Sequence, residues 1–149
     1  MRLAFYQPDQ PGNVGAMLRL GACLGLAVDI IAPCGFPASA PALRRAAMDY
    51  AQQVDLTLHD DWQAFRKAQP QRLLLLTTQG AQGYSDFSYR GDDILLLGSE
   101  SQGVPPEIHA QADARLRIPL VPEARSLNVV NAAAMVVGEA LRQTKGFPQ

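Results

Sequence analysis

The sequence predicts an α/β domain built on a mostly parallel sheet flanked by helices. Segments with strand and helix character alternate along the chain, the order expected of such a sheet. The cores of two strand candidates, Leu73 to Leu76 and Ile94 to Leu97, are wholly apolar, as strands covered on both faces must be. A chain of 149 residues, 48% hydrophobic and 18% charged, fits one continuous core, so a single domain over 1–149 is expected. The same balance excludes a disordered chain.

Each element follows in order. Leu3 to Gln7 reads as a strand ended by Pro8, and Asn13 to Leu26 as a helix with Val14, Met17, Leu18, Gly21 and Gly25 at helical spacing. Ala27 to Ala32 is an apolar strand closed by Pro33, and Gly35 to Pro41 a loop. Pro41 to Gln53 reads as a helix with Pro at its start, where no N–H is needed. Val54 to Leu58 is a short strand, and Asp60 to Ala68 a helix with acidic residues in its first turn. Arg72 to Thr77, Asp93 to Gly98 and Arg115 to Pro119 are further strands. Ser126 to Gln143 is a long last helix, with Ser126 and Asn128 at its opening and Ser126 a candidate N-cap. Its two stripes, Leu127/Val130/Ala134/Val137/Leu141 and Val129/Ala133/Val136/Ala140, make it apolar nearly all round. Such a helix is either sunk within one chain or partly covered by a partner subunit.

Several classes fall away. No run approaches the ~18–20 apolar residues of a membrane span, and the start, polar by Gln7, has no signal-peptide core; a cytoplasmic protein is expected. Cys23 and Cys34, with only His59 and His109 beside them, make neither a disulfide framework nor a metal site. Cys23 reads as a buried small residue and Cys34 as a loop residue. Net charge is −1, so the whole molecule does not steer toward nucleic acid. The cations are nevertheless 11 Arg and 2 Lys, and Arg suits bidentate phosphate contacts. Glycine-rich dinucleotide and P-loop signatures are absent, as is a nucleophile elbow.

Ligands of open α/β sheets sit at the carboxyl ends of strands. Three such ends carry small and polar tails: Thr77-Thr78-Gln79-Gly80, Gly98 to Pro105, and Pro119 to Asn128. They read equally as surface turns or as a cofactor cradle.

Three blocks then stand out in order. They are Asn13-Val14-Gly15-Ala16-Met17-Leu18-Arg19 (N-x-G-x-x-x-R), Gly98-Ser99-Glu100-Ser101-Gln102-Gly103 (G-x-E-x-x-G), and Ile118-Pro119-Leu120 through Ser126-Leu127-Asn128. Together they resemble the SpoU-type branch of the SPOUT RNA methyltransferases. The Gln7-Pro8 start and Leu43-Arg44-Arg45-Ala46 followed by Met48-Asp49-Tyr50 are similar to short enzymes that 2′-O-methylate the tRNA wobble nucleotide. Gln102 departs from the Arg often found there.

The resemblance implies a C-terminal trefoil knot over about 98–132, a homodimer, and an active site shared between subunits. It implies S-adenosylmethionine held at Leu76, Gly98, Ile118, Ser126 and Leu127, with no metal. From the residues alone Leu76 and Ile118 read as core. Gly98 leaves backbone room for a ligand. The implied catalytic residues are Arg19, Asn13, Glu100, Ser126 and Asn128. A guanidinium is a donor rather than a base, so Arg19 is read as gripping a phosphate and aligning the hydroxyl. Arg44 and Arg45 are candidate contacts to a tRNA anticodon stem-loop. The competing functions are ribosomal RNA 2′-O-methylation and binding of RNA or S-adenosylmethionine without turnover.

Overall fold

In the computed structural model, which describes residues 1–50 and 52–149, the apolar strands form the middle of one sheet. Leu73 to Leu75 and Ile94 to Leu96 are buried because helices cover both faces. The elements are β1 (Arg2–Tyr6), α1 (Pro11–Leu24), β2 (Ala27–Ile31), α2 (Ala40–Ala46), β3 (Leu56–His59), α3 (Trp62–Ala68), β4 (Leu73–Leu76), β5 (Gln82–Gly83), β6 (Ile94–Leu97), α4 (Pro106–Gln111), β7 (Ala114–Arg117) and α5 (Val129–Thr144). Strand order is β3-β2-β1-β6-β4-β7-β5, and every pair is parallel. The α/β expectation holds.

Side chains alternate between two cores, as the strand period of two requires. One core joins Leu3, Phe5, Leu74, Leu95 and Leu97 to Met17, Leu18, Val136 and Leu141 of α1 and α5. The other joins Ala4, Leu73, Leu75, Ile94 and Leu96 to Trp62, Phe65 and Ile108 of α3 and α4. Two buried carboxylates brace the sheet. Asp29 accepts from Arg2 Nε (2.8 Å) and meets His59 Nε2 (2.7 Å). Asp93 accepts from Arg72 Nε (2.6 Å) and Nη2 (2.7 Å). Among the described residues, no helix is long and apolar enough to cross a membrane.

Several boundaries differ from the sequence reading. The helix expected over 41–53 ends at Ala46, because Met48 takes a left-handed φ of 52° and turns the chain into a 3₁₀ turn, Met48–Tyr50. This turn delivers Val54 to the core; residue 51 of the expected helix lies outside the described residues. Gly25 is not on the apolar stripe of α1 but caps it at φ 66°. Cys23 is exposed on the outer face of α1 and Cys34 is half-buried. The last helix begins at Val129, and Asn128, not Ser126, caps it, its Oδ1 accepting from the Val130 N–H (2.9 Å) and the Asn131 N–H (3.2 Å). Asn128 directly precedes the first helical residue, whereas Ser126 stands two positions too early to reach those donors. Nor is α5 buried all round. Ala133, Val136, Val137, Ala140 and Leu141 are inside, while Ala134 is exposed and Met135 is 42% exposed; Leu127, 39% exposed, precedes the helix.

Candidate active site

The cavity at the carboxyl edge of the sheet grows from strand register. Leu97 of β6 pairs with Phe5 and with Leu76, and Leu76 pairs with Leu116 of β7. The chains leaving β4, β6 and β7 therefore emerge side by side. The loop after β6 folds back on itself: Ser99 N–H donates to Gly103 O (3.1 Å) and Gly103 N–H to Ser99 O (2.8 Å). A Cβ on Gly98 would lie 2.6 Å from the Gly103 carbonyl carbon. Gly98 is thus required by Gly103 of its own loop, on the side where a Cβ would stand. The loop after β4 is fastened by Thr77 N–H to Leu116 O (2.9 Å), with Gly80 set against the backbone of Leu116 and Arg117.

These loops enclose a cavity of about 590 Å³, within the ~300–1,000 Å³ usual for ligand sites. All five positions expected to hold a cofactor, Leu76, Gly98, Ile118, Ser126 and Leu127, line it. Asn13, Glu100 and Asn128 line it too. Apolar walls come from Leu76, Leu97, Val104 and Ile118, and polar atoms from Thr77, Gln102 and His109 among others.

A chain of polar contacts runs along the mouth. The Asp9 N–H donates to Glu100 Oε2 (2.8 Å), and Asn13 Nδ2 donates to Glu100 Oε1 (3.3 Å). Asn128 Nδ2 donates to Asn13 Oδ1 (3.0 Å), and the Oδ1 of Asn128 caps α5. Asp9 Oδ2 accepts from Ser99 Oγ (3.3 Å), from the Ser101 N–H (3.3 Å) and from the Ser101 hydroxyl. The two carboxyls are driven apart. The Ser101 hydroxyl bond, with help from Glu100, holds Asp9 below its ordinary value, whereas burial pushes Glu100 up. The arrangement locks the first block of the sequence, the loop after β6 and the start of α5 into one frame.

Arg19 stands apart. It is exposed on the outer face of α1 and does not line the cavity; its Cζ lies 5.1 Å from the centroid of the Tyr50 ring. Arg44 and Arg45 are exposed in the last turn of α2.

The sequence reading missed Asp9 and His109. Asp9 carried no motif signal, and its partners lie some 90 residues away. His109 lies on the six-residue helix α4, which went unread because Pro105 and Pro106 open it. Its Nδ1 accepts from Arg115 Nε (3.1 Å). Its Nε2 is buried without a hydrogen-bond partner among the described residues, an open polar atom in the wall.

Residues 1–138 match the SpoU rRNA methylase family. A tRNA (cytidine(34)-2′-O)-methyltransferase of Beijerinckia indica subsp. indica is 59% identical over 144 residues, covering 95% of this chain and 90% of that one. A chain solved for insight into the 2-OH methylation of C/U34 on tRNA superposes with a TM-score of 0.88 at 40% identity, covering 95% of this chain and 94% of that one. The SpoU methyltransferase AviRb from Streptomyces viridochromogenes, in complex with AdoMet, superposes with a TM-score of 0.80 at 25% identity, covering 96% of this chain and 60% of that one.

Proposed function

Because the chain belongs to the SpoU rRNA methylase family, we propose that it methylates the ribose 2′-hydroxyl of the wobble nucleotide, cytidine or modified uridine, in the anticodon stem-loop of a tRNA. It is a methyltransferase, and its cofactor is S-adenosylmethionine. The observation that carries the substrate is the near end-to-end likeness to the tRNA (cytidine(34)-2′-O)-methyltransferase.

The residues present fit the cofactor. The cavity has the volume, apolar walls that include Leu76 and Ile118, and an unpartnered polar atom at His109 Nε2 among the described residues. Leu76, Gly98, Ile118, Ser126 and Leu127 would hold it. When bound, its sulfonium supplies an electrophilic methyl group. The protein's share is then to fix the 2′-hydroxyl in line and to help its proton leave. Asn13, Glu100 and Asn128 keep the loop after β6 and the start of α5 in register beside that hydroxyl. Arg19, a planar fork of donors, grips an RNA phosphate. Arg44 and Arg45 extend the contact along the stem-loop.

We read the assembly as a cytoplasmic homodimer of single-domain subunits, in which Arg19 of one chain approaches the cavity of the other. Three observations support this: Arg19 is absent from its own cavity, Ala16 and Cys23 leave the same face of α1 uncovered, and Met135 and Leu127 are exposed. A trefoil knot over 98–132 belongs to the same reading, and it rests on membership of the family. The experiment is single-turnover methylation of anticodon stem-loops carrying C34 or U34, with the product located by mass spectrometry, alongside equilibrium sedimentation. Methylation at the 2′-oxygen of residue 34 and a particle of twice 16.1 kDa are expected. Methylation of ribosomal RNA fragments instead would refute the substrate, and an active monomer would refute the shared site.

A further inference from the structure

Arg19, the residue proposed to grip the RNA backbone beside the reacting hydroxyl, sits on an open helix face, and an arginine there sweeps a wide volume. Fixing such a side chain costs rotamer entropy. No hydrogen bond or ion pair holds its guanidinium among the described residues; what it touches is the ring of Tyr50, 5.1 Å from Cζ to centroid. We infer that Tyr50 is a positioning residue for Arg19, holding the guanidinium by its π face so that the in-plane N–H fork stays free for an RNA phosphate. The inference rests on the reading above, that Arg19 grips the RNA backbone.

The geometry gives this contact its use. An ion pair or hydrogen bond would fasten Arg19 through the same N–H groups that a phosphate needs. A ring fastens it through the face, which a phosphate does not use. The platform itself is set by backbone. Met48, at φ 52°, turns the chain off the end of α2. The Tyr50 N–H donates to Ala47 O (3.1 Å), and Tyr50 O accepts from the N–H of Gln53 (2.9 Å) and of Val54 (3.1 Å). Val54 is anchored in the core. None of these bonds involves the ring, so replacing the ring leaves the turn in place. The early ending of α2 thereby acquires a purpose: a helix continued through 48–53 would not make the 3₁₀ turn that carries this ring.

The test is single-turnover methylation of a C34 anticodon stem-loop by Tyr50→Leu, Tyr50→Phe, Arg19→Ala and the double variant Arg19→Ala/Tyr50→Leu. Calorimetric binding of S-adenosylmethionine is measured on each. Tyr50→Leu is expected to slow methylation about two- to fivefold, the range of an exposed cation–π contact, with cofactor affinity unchanged. Tyr50→Phe is expected to recover the wild-type rate, since the π face remains. In the Arg19→Ala background Tyr50→Leu is expected to change nothing further. Stem-loop binding against salt supplies a second readout: Arg19→Ala lowers the slope by about one phosphate contact, while Tyr50→Leu leaves it as in the wild type. A wild-type rate for Tyr50→Leu, or an equal loss with and without Arg19, overturns the inference while leaving the methyltransferase reading intact. A wild-type enzyme that ignores the stem-loop overturns the substrate reading and this inference with it.

Discussion

Replacing Asn128 separates two tasks that one side chain performs. Its Oδ1 caps α5 through the N–H groups of Val130 and Asn131, at 2.9 and 3.2 Å, and its Nδ2 donates to Asn13 Oδ1 at 3.0 Å. Loss of an Asn cap to Ala costs typically ~1 kcal/mol within a range of ~0.5–2. The bond to Asn13 is exposed and adds at most ~0.5 kcal/mol to stability, below the usual ~0.5–1.5 of a sheltered bond. Asn128→Ala is therefore expected to destabilise the fold by about 1–2 kcal/mol. At ~2–4 °C per kcal/mol for a chain of this size, Tm falls by about 2–8 °C. Asn128→Asp keeps the acceptor and adds a charge that suits a helix N-terminus. It cannot donate to Asn13, and it brings a second carboxylate near Glu100. Its Tm is expected within ~1 °C of wild type, with methylation of the stem-loop slowed about tenfold or more, because the frame around the hydroxyl is loosened. Thermal unfolding at one fixed protein concentration, paired with single-turnover rates, reads both. An Asp variant as active as wild type would show that the Asn13–Asn128 bond has no part in the chemistry. An Ala variant of unchanged Tm would remove the cap from the account.

Arg19→Ala is expected to leave S-adenosylmethionine affinity unaltered in calorimetry while turnover falls by about 100-fold or more; Arg19→Lys recovers little, since a point charge does not replace a planar fork. Gly98→Ala drives a Cβ to 2.6 Å from Gly103, so cofactor affinity and Tm should fall together; a loss of affinity at unchanged Tm would return Gly98 to direct ligand contact. Glu139 is held down to about 2 by hydrogen bonds from Arg142, then Gln143. A depressed carboxylate contributes stability that is present above its ordinary value and lost as pH falls through the depressed one. The acid limb of unfolding from about pH 4.5 toward pH 2 should therefore be shallower in Arg142→Ala; an identical limb would assign that limb to other carboxylates.

The central strands were legible because burial on both faces leaves no polar position: Leu73 to Leu76 and Ile94 to Leu97 admit little else, whereas the two-residue edge strand β5, Gln82–Gly83, has no apolar run and went unread. The cavity was legible for a related reason, since strand ends followed by small and polar residues mark where a parallel sheet opens. The breaks were less so. Nothing in Ala46-Ala47-Met48 announces a left-handed residue, and Met48, 77% exposed, carries no burial pattern to betray it. Ser126 was read as the cap and Asn128 is the cap, since both side chains accept equally well and only the start of the helix decides. The Asp9–Ser101 and Asn13–Glu100 contacts span about 90 residues. They depend on strand order, which pattern along the chain does not encode.

That order has a consequence for how the chain is made. β6 lies between β1 and β4 and pairs with both, Arg2 to Phe5 on one side and Leu73 to Leu76 on the other. A ribosome adding ~5–20 residues per second delivers β6 several seconds after β1 and about one to a few seconds after β4. During that interval two apolar strand edges wait unpaired, and an edge of this kind is a template for any extended segment nearby. β1 and β4 can also zip to each other, closing the slot that β6 must enter. Residues Ile94 to Leu97 therefore complete the sheet by insertion rather than by addition at a rim.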